Sequence, residues 1–270
     1  VTYCNSYPIE AFPARPRVST PYDVNDIPVL LHWIEGHASN SLGASLFIQT
    51  SGDLENNQST VSQLHNCGTA IAFHRENPTI FLVGVEEGMI YKCSSIYSSP
   101  FLATYKAHYL SIYSIEWNYY HPRVFISCSA DWMVCIWDHT CSAPVFTFDL
   151  HTEVGDIAWA PYSSTVFAAV TADGKVHIYD LSVNKHLPIC QQTVVQKKKT
   201  KLTKVAFNPS YPILCVGDER GLVISLKLSP NLRKNLKDIK NVDPVKFKEV
   251  EVEKMDKLLE LACDPVIREN

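Results

Sequence analysis

Ser111-Ile112-Tyr113-Ser114-Ile115-Glu116-Trp117, His121-Pro122, Val124-Phe125-Ile126-Ser127-Cys128-Ser129, Ala130-Asp131 and Trp132-Met133-Val134-Cys135-Ile136-Trp137-Asp138 follow one another in the sequence, and their reading decides the fold. Apolar positions alternate in the first segment as on a half-buried strand, and β-branched and aromatic residues suit a pleated surface. The second and third segments are nearly continuous apolar runs, the pattern of strands buried on both faces. Proline lacks an amide hydrogen, so His121-Pro122 separates the first strand from the second. The short Ala130-Asp131 leaves room only for a tight turn between the second and third. The run therefore reads as three successive strands.

The unit recurs. Gly155-Asp156-Ile157-Ala158-Trp159-Ala160-Pro161, Val166-Phe167-Ala168-Ala169-Val170, the turn Ala172-Asp173-Gly174 and Val176-His177-Ile178-Tyr179-Asp180 repeat it. A third copy has Leu202 to Pro209, Ile213-Leu214-Cys215-Val216-Gly217 and Leu222 to Leu226. Upstream, Thr69 to His74, Ile80 to Gly84, the turn Glu86-Glu87-Gly88 and Met89 to Cys93 make another. Aligned on their third strands, Ile90, Val134, Val176 and Val223 are equivalent, at spacings of 44, 42 and 47 residues. A period of roughly 40–45 residues is that of a four-stranded propeller blade. A fourth strand is expected after each third, with Phe101 to Tyr105 and Pro144 to Phe148 as candidates.

Trp137-Asp138, the Ala107-His108 dipeptide and Asp131 in the turn resemble the WD40 repeat. In that family a His, an Asp, a Ser or Thr and the Trp form a hydrogen-bonded tetrad that ties a blade together. The resemblance places His108, Asp131, Ser127 or Ser129, and Trp137 in those roles. Such a network satisfies buried polar groups that would otherwise be costly. The next copy keeps His151 and Asp173 and has Tyr179 in place of the Trp, so these three are expected in the corresponding positions. In the last copy Arg220 stands where the turn Asp belongs, and in the first copy Glu87 does. The expected fold class is all-β: a WD40 β-propeller of about four to five visible blades, its ring incomplete in this chain, with a short C-terminal helix.

Around this centre the chain divides into three parts. Residues 1–66 read as a partial blade and loops: Pro28 to Trp33 suits a first strand, Ser45 to Leu54 a second strand and turn, and Pro8 to Pro21 a loop. Val1-Thr2-Tyr3-Cys4 suits the last strand of an earlier blade, so further sequence is expected before Val1. Residues 67–228 hold the four blades. Residues 229–270 read as a polar, Lys-rich linker and an amphipathic helix centred on Val252 to Glu260, whose apolar side suits packing on the propeller or docking into a partner's groove.

Composition narrows the function. The net charge is −4, and Lys197-Lys198-Lys199 is the one basic run, with no interleaved aromatics, so no nucleic acid is expected as partner. That run reads as a solvated loop or a contact for an acidic surface. No apolar stretch approaches the roughly 18 residues of a membrane span. Nine cysteines at irregular spacing, without a C-x-x-C pair, read as buried thiols in a reduced intracellular setting. No hydrolase elbow, zinc-protease or phosphate-loop motif occurs, so neither enzyme activity, catalytic residues, metal nor cofactor is expected. His121, beside Pro122, reads as an exposed turn residue.

The blocks Phe81 to Ser94, Ser129 to His139, Asp156 to Val170, Val216-Gly217-Asp218 and Ser225 to Leu232 resemble the axonemal dynein intermediate chains, above all those of the outer dynein arm. The resemblance covers roughly residues 67–232. It implies a non-catalytic scaffold subunit of the ciliary or flagellar motor, cytoplasmic and located on the microtubule cytoskeleton of the axoneme. Its propeller would bind a dynein heavy chain and the subunit would pair with a second intermediate chain. Light chains would join through a region absent from this sequence, and no membrane would be involved. The alternative is another WD40 adaptor, such as a ubiquitin-ligase substrate receptor or a ciliary transport subunit.

Overall fold

The computed structural model describes residues 67–96, 101–195, 200–233 and 244–263. The readings placed on residues 1–66 and on Lys197 to Lys199 lie outside them. Fifteen strands are described, and they form four antiparallel sheets in chain order. The first holds β1 (Gly68–Phe73), β2 (Ile80–Val85), β3 (Met89–Ser94) and β4 (Ala103–Lys106). The second holds β5 (Ile112–Trp117), β6 (Val124–Ser129), β7 (Met133–Asp138) and β8 (Phe146–Asp149). The third holds β9 (Val154–Trp159), β10 (Val166–Thr171), β11 (Lys175–Asp180) and β12 (Cys190–Thr193), and the last holds β13 (Leu202–Phe207), β14 (Ile213–Asp218) and β15 (Val223–Lys227). Each sheet is a meander whose strands pair with their sequence neighbours. This is the expected blade, and the ring of four is not closed.

The first strands β1, β5, β9 and β13 pack side by side, so the sheets stack like blades around an axis. Each of these strands carries a one-residue irregularity near its start, at Thr69, Tyr113, Gly155 and Thr203. A bulge increases local twist, which turns one sheet against the next. At Gly155 the neighbour is so close that a Cβ would lie 2.2 Å from the Leu202 carbonyl oxygen, so glycine alone fits.

Stacking explains the continuous apolar runs. β6 and β10 are buried at every residue because each lies inside its sheet and between two other sheets. Phe125 and Trp137 face the first blade, while Ile126 and Ile136 face the third. A trio of rings repeats in two seams. Tyr105 of β4 meets Phe125 and Trp137 at 5.5 and 5.8 Å, and Phe148 of β8 meets Phe167 and Tyr179 at 5.5 and 4.9 Å. The third seam has no such trio. Its core is built from small and aliphatic residues such as Ala168, Val170, Leu202, Leu214 and Val216.

The helix α1 runs over Pro244–Cys263, longer than the expected segment. Proline suits its first turn, where an amide hydrogen has no helical partner. Met255, Leu258 and Leu259 sit on one side and join the core between the second and third blades. β12 is a polar, largely exposed edge strand that the apolar pattern did not reveal.

Candidate functional site

In the second blade the structure brings His108, Ser127, Asp131 and Trp137 together. Trp137 Nε1 donates to Ser127 Oγ at 3.0 Å, and Ser127 Oγ lies 2.8 Å from His108 Nε2. His108 Nδ1 is 3.1 Å from both oxygens of Asp131. A single proton order satisfies every group: indole N–H to serine, serine O–H to Nε2, and Nδ1–H to the carboxylate. Burial alone would push the Asp131 carboxyl up, but hydrogen bonds from His108 and from the Tyr109 and Met133 amides outweigh it and hold it below the usual range. Ser129, the other serine considered, instead donates to the Leu110 carbonyl at 3.0 Å and accepts from the Asp131 amide.

The order Ser–His–Asp resembles a hydrolytic relay, but Ser127 is fully buried and its oxygen already receives the indole N–H. A substrate has no approach to it. The arrangement links the loop before β5 to β6, β7 and their turn.

The third blade departs from expectation. His151 does not join Asp173 and Tyr179: its side chain is 85% exposed, its φ is +57°, and it pairs with Asp149 at 3.2 Å. The reason is length. His108 stands four residues before Ile112, the start of β5, whereas His151 stands three before Val154, the start of β9. In addition Ala169 occupies the position of Ser127, so no hydroxyl is present to relay a bond. Asp173 bonds to Thr171 Oγ1 and to Lys175, and His177 Nε2 approaches the same hydroxyl at 3.4 Å. Tyr179 lies flat on Phe167 at 4.8 Å. In the fourth blade Asp218 closes the turn by accepting from the Arg220 and Leu222 amides at 3.0 and 2.8 Å.

Toward the axis, the first strands lock one blade to the next. Trp117 Nε1 donates to the Ala72 carbonyl at 3.1 Å, and Trp159 Nε1 to the Glu116 carbonyl at 3.3 Å. Glu116 Oε2 accepts from the Trp159 amide at 2.8 Å, and Asp156 Oδ2 from the Val205 amide at 3.1 Å. The corresponding residues of the outer two blades are Phe73 and Phe207, which have no such donor. These strands line a cavity of about 720 Å³. Burial pushes the Glu116 carboxyl up to about 7, against the lowering effects of the Trp159 amide and Arg75. Arg75 lies 3.3 Å from Glu116 and 3.8 Å over the Tyr119 ring.

The loops after β1, β5 and β9 share one end of the stack, and α1 lies across them. Lys248 pairs with Glu76 at 2.6 Å, and Phe247 meets Tyr120 edge-on at 5.7 Å. Asp256 takes Arg123 at 2.8 Å and His121 Nε2 at 3.1 Å. His121 was expected at the surface; it is 2% exposed, because this helix covers it. Glu251, fully buried, accepts from the Ser164 amide at 2.7 Å and from the Ser163 and Ser164 hydroxyls at 3.3 and 3.0 Å. One helix thus braces three blades.

At the opposite end the turns between second and third strands carry one anomaly. Gly88, Gly174 and Gly221 hold φ near +80°, as a left-handed turn position favours. The equivalent residue of the second blade is Trp132, at φ +74°. A bulky residue there costs about 1–3 kcal/mol, and about half of the Trp132 surface, 51%, stays exposed rather than packed.

Among the described residues no group of three His, Cys, Asp or Glu is placed to hold a metal ion, and no helix is long and apolar enough to cross a membrane. The described cysteines are free, and burial pushes the thiols of Cys93 and Cys135 up to about 11 and about 12, which leaves them unreactive.

The WD domain, G-beta repeat family matches residues 99–138 and 142–180. "Dynein intermediate chain 2, ciliary" of Heliocidaris crassispina is 62% identical over 200 residues, 74% of this chain and 28% of that protein. "Dynein axonemal intermediate chain 1" of Bos taurus is 60% identical over 201 residues, 74% of this chain and 29% of that protein. "Dynein, 78 kDa intermediate chain, flagellar outer arm" of Chlamydomonas reinhardtii is 50% identical over 191 residues, 68% of this chain and 26% of that protein. The chain spans less than a third of the length of these curated relatives.

Proposed function

We propose that this chain, a WD40-repeat member of the axonemal dynein intermediate chain family, is a non-catalytic scaffold subunit of the outer-arm motor. The observation that carries the reading is the 62% identity over 200 residues to a ciliary dynein intermediate chain. The blades would bind a dynein heavy chain, a second intermediate chain would lie alongside, and light chains would attach outside this sequence. Its place would be the axoneme of a cilium or flagellum.

The geometry supports a scaffold. Its Ser–His–Asp order is sealed inside a sheet, and its carboxyl groups tie elements together. Glu116, Asp156 and Glu251 each accept backbone amides of another element. The heavy chain's own site would supply the motor chemistry. With α1 fixed across one end, the exposed loops at the opposite end are the ones among the described residues that would receive a partner.

Affinity-tagged chain expressed in ciliated cells tests the reading. Recovery of outer-arm heavy chain, with direct binding reproduced between purified proteins, is the expected result. Recovery of a ubiquitin-ligase core or a ciliary transport complex, with no heavy chain, would replace it with the corresponding adaptor role.

A further inference from the structure

Trp132 belongs to a continuous strip on the end of the stack opposite α1. The turn Glu86-Glu87-Gly88 touches the next loop, where the His108 amide donates to the Gly88 carbonyl at 2.9 Å. That loop presents Tyr109, 85% exposed, and Leu110, about half exposed. The Tyr109 amide donates to Asp131 at 3.0 Å, and Trp132 follows in the chain. The Leu150 amide, at 3.0 Å from the Trp132 carbonyl, carries the strip onward to Asp149 and His151. Two aromatic rings and a leucine are thus exposed on loops that hydrogen bonds join one to the next.

The charges beside them are unequal. Glu86 and Glu87 are exposed and have no ion pair among the described residues. Asp131 is committed to His108, and Asp149 to His151. Lys106, paired with Met89 across β3 and β4, borders the strip and leaves the two glutamates in excess. Aromatic faces next to free carboxylates are the chemistry that receives a guanidinium, which stacks on an indole or phenol ring and pairs with a carboxylate through its planar fork. Trp and Tyr are also the residues that carry binding energy at interface centres.

We infer that this strip docks an arginine-containing segment of a partner polypeptide, with Trp132 and Tyr109 as stacking platforms and Glu86 and Glu87 as counter-charges. Glycine occupies the Trp132 position in the other three turns and suits its backbone better. The turn geometry does not account for the tryptophan, and what the residue adds at this position is an exposed ring. This inference concerns a surface of the chain itself and does not depend on the assembly in which the chain works.

The test uses the full chain and a fluorescent peptide alternating arginine and serine, with lysine–serine and glutamate–serine versions beside it. Binding is followed by anisotropy. Trp132→Gly is expected to weaken arginine-peptide binding about ten-fold, as loss of an interface anchor does, while the melting temperature stays the same or rises. Tyr109→Ala, at an exposed side chain, is expected to weaken binding about three-fold or more without affecting the fold. The Glu86→Gln, Glu87→Gln pair is expected to bind more weakly at low salt and to differ little from the parent at high salt. Unchanged binding in both aromatic variants would overturn the inference. So would equal binding of the lysine or glutamate peptide, or a lower melting temperature for Trp132→Gly, since the indole would then be part of the core.

Discussion

The second and third blades share a backbone and differ in what joins it. Both lay a ring of the second strand flat on a ring of the third: Phe125 on Trp137 at 5.9 Å and 6°, Phe167 on Tyr179 at 4.8 Å and 5°. Both receive a third ring from the preceding blade. Beyond the rings they part. The Trp137 N–H leads through Ser127 and His108 to Asp131, whereas Ala169 ends any such path behind Tyr179. The polar bonds of the third blade withdraw to its turn, among Thr171, Asp173 and His177. Ring stacking between paired positions of the second and third strands is thus the common element. The relay is an addition that fastens a loop to the sheet.

The comparison can be broken most severely at the rings. Trp137→Ala and Tyr179→Ala should each cost about 3–5 kcal/mol, the range for emptying a buried aromatic site, measured by denaturant unfolding. A far smaller loss at Tyr179 would mean that the two blades are not held alike. Removing the acids should separate them. Asp131→Ala leaves a buried His108 without its acceptor and should cost about 2–3 kcal/mol, while Asp173→Ala, at a part-exposed turn, should cost about 1 kcal/mol or less. The Asp131 carboxyl is held below its ordinary value of 3.8. Its contribution is therefore present above about pH 4 and lost as pH falls through the depressed folded value. Asp131→Ala should accordingly blunt acid unfolding.

The seam between the two blades should respond to pH in the opposite sense. The Glu116 carboxyl is raised from 4.5 to about 7, so between those values the folded chain holds a proton that the unfolded chain releases. Stability should fall as pH rises through that window. Glu116→Gln should flatten this slope and add on the order of 1 kcal/mol near neutral pH, read from melting curves across the range. Asp156, also raised by burial, keeps the flattening partial. The finest test removes single polar atoms. Trp137→Phe deprives Ser127 of a donor and should cost about 1 kcal/mol, whereas Tyr179→Phe should stay within about 0.5 kcal/mol.

The blades were legible because strand alternation and turn chemistry are local. Ile90, Val134, Val176 and Val223 fall in the register read from their spacing. His108, Ser127, Asp131 and Trp137 could be named because a family pattern fixes their offsets. The missed features depend on partners distant in sequence or on backbone shape. His121 is covered by a helix whose Asp256 lies 135 residues away. Glu116 binds the amide of Trp159, 43 residues on. His151 fails for want of one loop residue, which a motif search passes over, and the His177 that approaches Thr171 looks like an ordinary strand residue. A tryptophan in a glycine position was visible in the aligned turns, but its meaning required the backbone angle.

The brace formed by α1 also dictates an order of events at the ribosome. Each sheet pairs strands adjacent in the chain and can close as it emerges, and folding of this kind proceeds from the N-terminus. The helix is the last described element to be made, yet its contacts reach back 172 residues to Glu76, 135 to His121 and 87 to Ser164. Until it arrives, the seat of Met255, Leu258 and Leu259 lies open beside Phe148 and Leu150. A product cut short before Pro244 would display that apolar seat, the kind of surface that chaperones and proteases engage. Coverage of the seat therefore distinguishes a chain that has made α1 from one that has not.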